Sequence, residues 1–308
     1  MSPVHPCRRT SAAIVPAAIA AALLAGCSIE APARHDESKQ VIKKLDTRPT
    51  FDSGSVMARI QKRGKLKVGT KLDQALFGLM TDGAVTGFDA EMAKLVARDL
   101  GLDPAKDIEY VESVSKNREV FLQSGKVDII AATYVVTPQR QKVVDFAGPY
   151  YTAGTGILVP KTNKDIRSKD DLAGKKVCYV TGADSLRALR LHAPKARITG
   201  MDTNSQCADA VANAQFDAGA AGEPILLGIV SKNPDLKIVQ PPMTTELYGI
   251  GLPKGQGEFK EFIDKTLENA VARGEWKSAY DRTIGAVKPT PPTMPAVGDF
   301  GKVERTGQ

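Results

Sequence analysis

Four cysteines, Cys7, Cys27, Cys178 and Cys207, carry the most reactive side chains of this 308-residue sequence. A thiol can be acylated, oxidised to a disulfide or bound to a metal. A metal site needs more ligands than two distant thiols supply, and the three histidines, His5, His35 and His192, are scattered. The sequence offers no nucleophile–base set, no metal-ligand cluster and no phosphate-binding loop. Neither a cofactor nor a metal is expected, and the chain does not read as an enzyme.

Cys27 ends the run Leu24-Ala25-Gly26-Cys27, behind an apolar stretch over 12–25 and the basic pair Arg8-Arg9. A charged start, a short apolar middle and small residues before a break make a secretory signal. The stretch is about 14 residues, short for a bilayer span. The four-residue run resembles a bacterial lipobox, in which the thiol takes a diacylglycerol group and the chain is cut before it. On that reading 1–26 is a lipoprotein signal peptide and Cys27 carries the acyl chains, palmitate included. The plainer alternative is an ordinary cleaved signal with an incidental cysteine. Lipidation would hold the folded part on the extracytoplasmic face of the cell membrane by acyl chains, without a spanning helix. Cys178 and Cys207 then remain, and an oxidising exterior favours pairing them. The closed loop would hold about 30 residues, worth roughly 3–4 kcal/mol in the chain-entropy account.

About 280 residues follow the signal, enough for two lobes. The net charge is +7. Basic residues are interspersed with acids and form no aromatic–basic stripe, which excludes a nucleic-acid partner. Residues 27–53 are polar and rich in Pro and charge, the composition of a flexible tether. Residues 286–308 are Pro-rich without periodicity, the composition of a disordered tail. Between them strands and helices alternate. Strands are predicted over 66–70, 108–111, 127–132, 176–180, 197–200, 217–220 and 236–239. Helices are predicted over 87–100, 115–122 with Ser115 as cap, from Thr137, and over 185–191, 205–214, 224–230, 258–272 and 276–283. Alternation of this kind predicts an α/β fold with mostly parallel sheets. Two extended crossings, near 150–159 and 246–252, predict two α/β lobes joined by a two-stranded hinge. Lobe 1 is expected to hold 54–154 and 250–285, and lobe 2 to hold 155–249. A ligand then sits between them.

The run Val127-Asp128-Ile129-Ile130-Ala131-Ala132-Thr133-Tyr134, then Thr137-Pro138-Gln139-Arg140-Gln141-Lys142-Val143-Val144-Asp145-Phe146 and Pro149-Tyr150-Tyr151, resembles the core of the family 3 solute-binding proteins. Gly69-Thr70-Lys71-Leu72-Asp73-Gln74, Thr86-Gly87-Phe88-Asp89, Leu122-Gln123-Ser124-Gly125-Lys126 and Tyr248-Gly249-Ile250-Gly251-Leu252 match as well. The resemblance runs in order over 54–285, and within the family is nearest in pattern to actinobacterial glutamate-binding lipoproteins. It implies a type II periplasmic-binding-protein-like fold. It also implies a monomer that closes its lobes over a polar amino acid, glutamate or aspartate first, and docks on an ABC permease. Relatives carry a disulfide in the second lobe, in agreement with Cys178–Cys207. The resemblance leaves two other uses of the scaffold open. One is a sensor reporting amino-acid levels to a membrane partner. The other is an enzyme like the cyclohexadienyl dehydratases, with Lys71 and Glu223 as the conceivable acid and base.

The resemblance also assigns residues. Arg140 falls on the arginine that pairs with the ligand α-carboxylate, where a guanidinium presents two parallel donors. Thr133, Val135 and the Thr137 cap region neighbour it, and Val135 stands where relatives have a hydroxyl. Lys71 faces the ligand side chain in relatives, with Gln74 and Phe77 as weaker members of that wall and Arg118 as a further candidate. Asp184 and Ser185 fall in a loop whose amides meet the carboxylate. The acid that holds the α-ammonium in relatives falls on Gly222, and Glu223, one residue later, is the expected substitute.

Overall fold

The structure, a computed structural model, describes residues 42–294 and 296–301. The expected signal peptide and lipobox, with Cys27, lie outside the described residues. Helix α1 (Val56–Arg63) opens the first lobe, capped by Ser55 Oγ, which accepts from the Ala58 N–H. Strand β1 (Leu66–Thr70) follows, then β2 (Asp73–Gln74), β3 (Gly78–Thr81) and β4 (Ala84–Thr86). Asp82 and Gly83 join β3 to β4 with φ of 50° and 78°, a type I′ turn. Neither α1 nor this small sheet was expected; strands of two to four residues show no readable period. Helix α2 (Phe88–Asp99), β5 (Ile108–Glu112), α3 (Arg118–Gln123), β6 (Ile129–Ile130), α4 (Pro138–Gln141) and β7 (Val144–Ala153) continue the lobe. Ser115 does not cap α3. It opens a 3-10 turn over Ser115–Asn117, and the α-helix starts at Arg118.

The second lobe holds β8 (Thr155–Pro160), β9 (Lys176–Val180), α5 (Ser185–His192), β10 (Arg197–Met201), α6 (Asn204–Ala212), β11 (Ala218–Gly222), α7 (Glu223–Lys232) and β12 (Leu236–Val239). The chain then returns as β13 (Glu246–Pro253), α8 (Gly257–Ala272) and α9 (Glu275–Thr283). Each lobe is built on one five-stranded sheet, in the orders β5-β1-β6-β13-β7 and β10-β9-β11-β8-β12. In each sheet four strands run one way and one runs against them, β13 in the first and β8 in the second, so the sheets are mixed.

The second crossing is not at 246–252. Strand β13 pairs with β7 from Glu246 opposite Ala153 onward, so it belongs to the first sheet over its whole length. The lobes therefore join at Gly154 and through 240–245. The two crossings touch: Thr155 N donates to Thr244 Oγ1 at 2.9 Å and Met243 N to Thr155 O at 2.7 Å. A Cβ on Gly154 would lie 2.0 Å from Thr244 O, so only glycine allows this approach.

Both flanks pack where they are described. Ile42 and Phe51 lie against the lobe 1 core, with the Phe51 ring edge-on to Phe262 at 5.4 Å. Gln61 Nε2 donates to Pro49 O at 2.9 Å. At the other end, Tyr280 Oη donates to Lys288 O at 2.6 Å, Gly298 N to Gly148 O at 2.7 Å, and Met294 and Val297 pack on the same core. Residues 42–53 are thus no free tether, and 286–294 and 296–301 no free tail. Their scattered apolar residues find a surface that composition alone cannot show.

In the second lobe Cys178 on β9 and Cys207 on α6 form a disulfide, Cα–Cα 5.7 Å, tying sheet to helix. Both cysteines are buried in the cluster with Leu158, Val211 and Leu226. Reduction should lower the melting temperature by about 5 °C or more for a loop of this length. Calorimetric scans with and without dithiothreitol check this, and coincident scans would refute it.

Candidate functional site

The lobes face each other across a cavity of about 30 Å³, room for one or two waters. Two wider grooves flank it, of about 510 and 450 Å³. Direct contacts join the lobes around it. Arg140 Nη2 donates to Gly182 O at 2.8 Å, Lys116 Nζ to Asp202 at 2.5 Å, and Ser205 Oγ to Asp73 at 3.0 Å.

Of the expected site residues, Gln74, Arg118, Thr133, Val135, Asp184 and Ser185 line this cavity. Arg140 and Thr137 line the neighbouring 510 Å³ groove instead. Lys71, Phe77 and Glu223 line none of the three spaces.

Thr133 enters through strain. Its φ is 46°, in the left-handed region that a β-branched residue avoids. Buried Asp89, at the start of α2, accepts from the Thr133 N–H at 2.8 Å and from Tyr150 Oη at 2.5 Å. Burial pushes the Asp89 carboxyl up to about 6, against these two donors and the nearby charges of Arg118 and Lys71. The Thr133 hydroxyl lies 3.2 Å from Gln74 Oε1 and fixes that amide at the cavity wall.

Arg118 leads α3 and is 3% exposed. Its Nη2 donates to Ala132 O at 2.7 Å, while its Nε has no acceptor. The guanidinium sits over the Tyr134 ring at 5.0 Å. Burial, then the Arg140 charge, push it down to about 10, which still leaves it charged at neutral pH. Ser185, first residue of α5, also buries a hydroxyl with no partner. An unpaired buried donor costs about 1–3 kcal/mol. Two of them here line one small space.

Arg140 is fully engaged by the protein. Thr137 Oγ1 caps its short helix, accepting from Arg140 N at 3.2 Å. The guanidinium donates to Val135 O at 2.6 Å and to Gly182 O, and pairs with Glu119 at 3.2 Å. It acts as a clasp between the lobes in this conformation. Asp184 stands at the cap position of α5 but caps nothing. Both of its oxygens accept from Arg187, the closest at 2.8 Å.

Glu223 has turned away. It pairs with Lys288 at 3.3 Å and accepts from Gln240 Nε2 at 3.4 Å. Phe77 is buried among Phe88, Tyr151 and Tyr248. Lys71 is 2% exposed, and its ammonium makes no hydrogen bond or ion pair with the described residues. Burial, then the charge of Arg118, lower its pKa to about 7.

The residues that sequence reasoning missed are Glu246, Tyr248, Thr155 and Asn204, all on the cavity wall. Glu246 carried a signal: it shares a face of β13 with Tyr248, where an acid in an otherwise apolar alternation is out of place. Among the described residues no group of three or more His, Cys, Asp or Glu could hold a metal ion.

The Lys71 environment generates a prediction. An unfolded lysine binds its proton up to about 10.5 and the folded one only to about 7, so stability rises with pH across that window and the full penalty stands below it. Lys71→Met should therefore melt several degrees above the natural protein at pH 6, with the gain fading toward pH 10. Melting curves across that range test this, and a gain independent of pH would refute it.

Residues 66–286 match the family of bacterial extracellular solute-binding proteins, family 3. The chain is 34% identical over 231 residues to the ABC transporter glutamine-binding protein GlnH of Bacillus subtilis, covering 74% of this chain and 84% of that protein. It is 32% identical over 235 residues to the glutamate-binding protein GluB of Corynebacterium glutamicum, covering 73% and 80%. Among solved structures, an ancestral arginine-binding protein bound to glutamine superposes with a TM-score of 0.68 at 34% identity, over 72% of this chain and 99% of that one. Two mixed-sheet lobes on two crossings are the type II periplasmic-binding architecture of such proteins. The chain belongs to the family 3 extracellular solute-binding proteins, a group of extracytoplasmic receptors.

Proposed function

We propose that this protein binds a polar amino acid between its lobes and presents it to an ABC permease. The observation that carries the reading is the pair of buried donors on the cavity wall, Arg118 Nε and Ser185 Oγ, which lack acceptors. A carboxylate satisfies both, and the guanidinium supplies the opposite charge. The role sequence reasoning gave to Arg140 thus passes to Arg118, with Arg140 closing the lobes beside it. The named relatives are binding proteins, which supports a receptor over an enzyme.

Glutamate, the first expectation, rested on Lys71. That ammonium is off the wall and half neutral near pH 7. Arg118 is the one cation lining the cavity among the described residues, and the α-carboxylate uses it. The remaining polar wall includes the amides of Gln74 and Asn204. Amides match an uncharged amide, so glutamine is the ligand this wall suits best. Titrating the protein with each of the twenty amino acids should give glutamine the lowest Kd, with glutamate at least about tenfold weaker. Tightest binding of glutamate would return the role to Lys71, and binding of none would end the amino-acid reading.

We also propose that Cys27 anchors the protein to the outer face of the membrane. No helix among the described residues is long and apolar enough to cross it. Cells fed labelled palmitate should label the natural protein and not Cys27→Ser, which should be shed to the medium. Equal labelling would refute the anchor.

A further inference from the structure

A ligand with an α-ammonium needs an acid, and three carboxylates lie near the cavity. Glu223 faces away, held by Lys288 and Gln240. Asp184 lines the cavity, but Arg187 already neutralises both of its oxygens. Glu246 differs. It is 4% exposed, lines the cavity and forms no ion pair with the described residues. Thr155 Oγ1 and Thr244 Oγ1 both donate to its Oε1 at 2.5 Å, while Oε2 has no hydrogen bond. A buried carboxylate without a counter-ion is costly unless something brings the opposite charge.

The neighbouring residues explain why the acid stands here. A Cβ at Gly222 would lie 2.2 Å from Tyr248 Oη. The space an acid on residue 222 would use is thus filled by the tyrosine hydroxyl, and position 222 takes no side chain. Tyr248 and Glu246 are two residues apart on β13 and share a face. The strand that excludes an acid at Gly222 brings its own acid to the same wall. The two threonines that orient it come one from each side of the hinge, Thr155 after the first crossing and Thr244 within the second.

We propose that Glu246 is the acceptor of the ligand α-ammonium and sets the preference for amino acids over their hydroxy analogues. The proposal rests on the amino-acid reading above. An ammonium offers three donors, enough for Oε2 and for neighbouring hydroxyls. Glu246, Arg118 and Ser185 together then complement a zwitterion.

The test titrates the full chain with L-glutamine and L-glutamate, each beside its 2-hydroxy analogue, by calorimetry. The natural protein should prefer the amino form by about 100-fold, and Glu246→Gln should lose about 100-fold for the amino form while its hydroxy-form affinity changes little. Glu223→Gln, off the wall, should bind as the natural protein does. Unchanged glutamine binding by Glu246→Gln, or a loss in Glu223→Gln instead, overturns the proposal. Failure of the natural protein to bind any amino acid overturns the amino-acid reading and this proposal with it, and so is told apart from failure of the variant alone. A crystal structure of the liganded natural protein needs no variant. The ligand nitrogen should lie about 3 Å from Glu246 Oε2, and a nitrogen on Asp184 or Glu223 would overturn the assignment.

Discussion

Charge that the chain leaves unneutralised at the face between its lobes is the constraint around which the rest is arranged. Arg118 keeps a free Nε and Glu246 a free Oε2 on one cavity wall, where burial makes an unpartnered charge costly. Much of the nearby structure holds them in place. Ala132 O and the Tyr134 ring fix the guanidinium. Two threonines fix the carboxylate. Asp89 and Tyr150 hold Thr133 in a conformation that it would not adopt alone. Strain and desolvation are tolerated here because the sheets on either side and the aromatic cluster of the first lobe supply the stability.

Two crossings set how such a face can be used. The chain passes between the lobes only at Gly154 and through 240–245, so the lobes can rotate about that line while each sheet stays intact. In the conformation described, Arg140, Lys116 and Ser205 already reach across, and the space between is too small for an amino acid. Entry then requires the lobes to part. A ligand favours closure only by making more contacts in the closed state than in the open one, and groups from both lobes on one wall are what that difference needs.

Compensation explains the departures from the family pattern better than loss does. A glycine at 222 looks like a missing acid until Tyr248 is seen to occupy its space. Glu223 looks like the substitute until Lys288 is seen to hold it. That lysine comes from a segment whose composition reads as tail, yet Tyr280 pins the backbone at Lys288. Small moves of this kind alter which group meets a ligand while leaving the scaffold unchanged.

Periodicity and punctuation located most of the longer helices and strands, though not α1 or the small β2–β4 sheet. Helix α2, strands β9 and β12 and the second-lobe helices fall where apolar spacing, caps and glycines put them, because these signals are local. The resemblance named the family for the same reason, as its motifs are contiguous runs. Which side chains face the cleft was a different matter. Lys71 and Arg140 sit in matching motifs, yet one is buried behind the wall and the other is bound to backbone carbonyls. Glu246 matched nothing and stands on the wall. Local sequence decides what a backbone segment becomes. Where a charge ends up depends on what fills the space beside it, and Tyr248, Lys288 and Gly182 come from parts of the chain that only tertiary packing brings there.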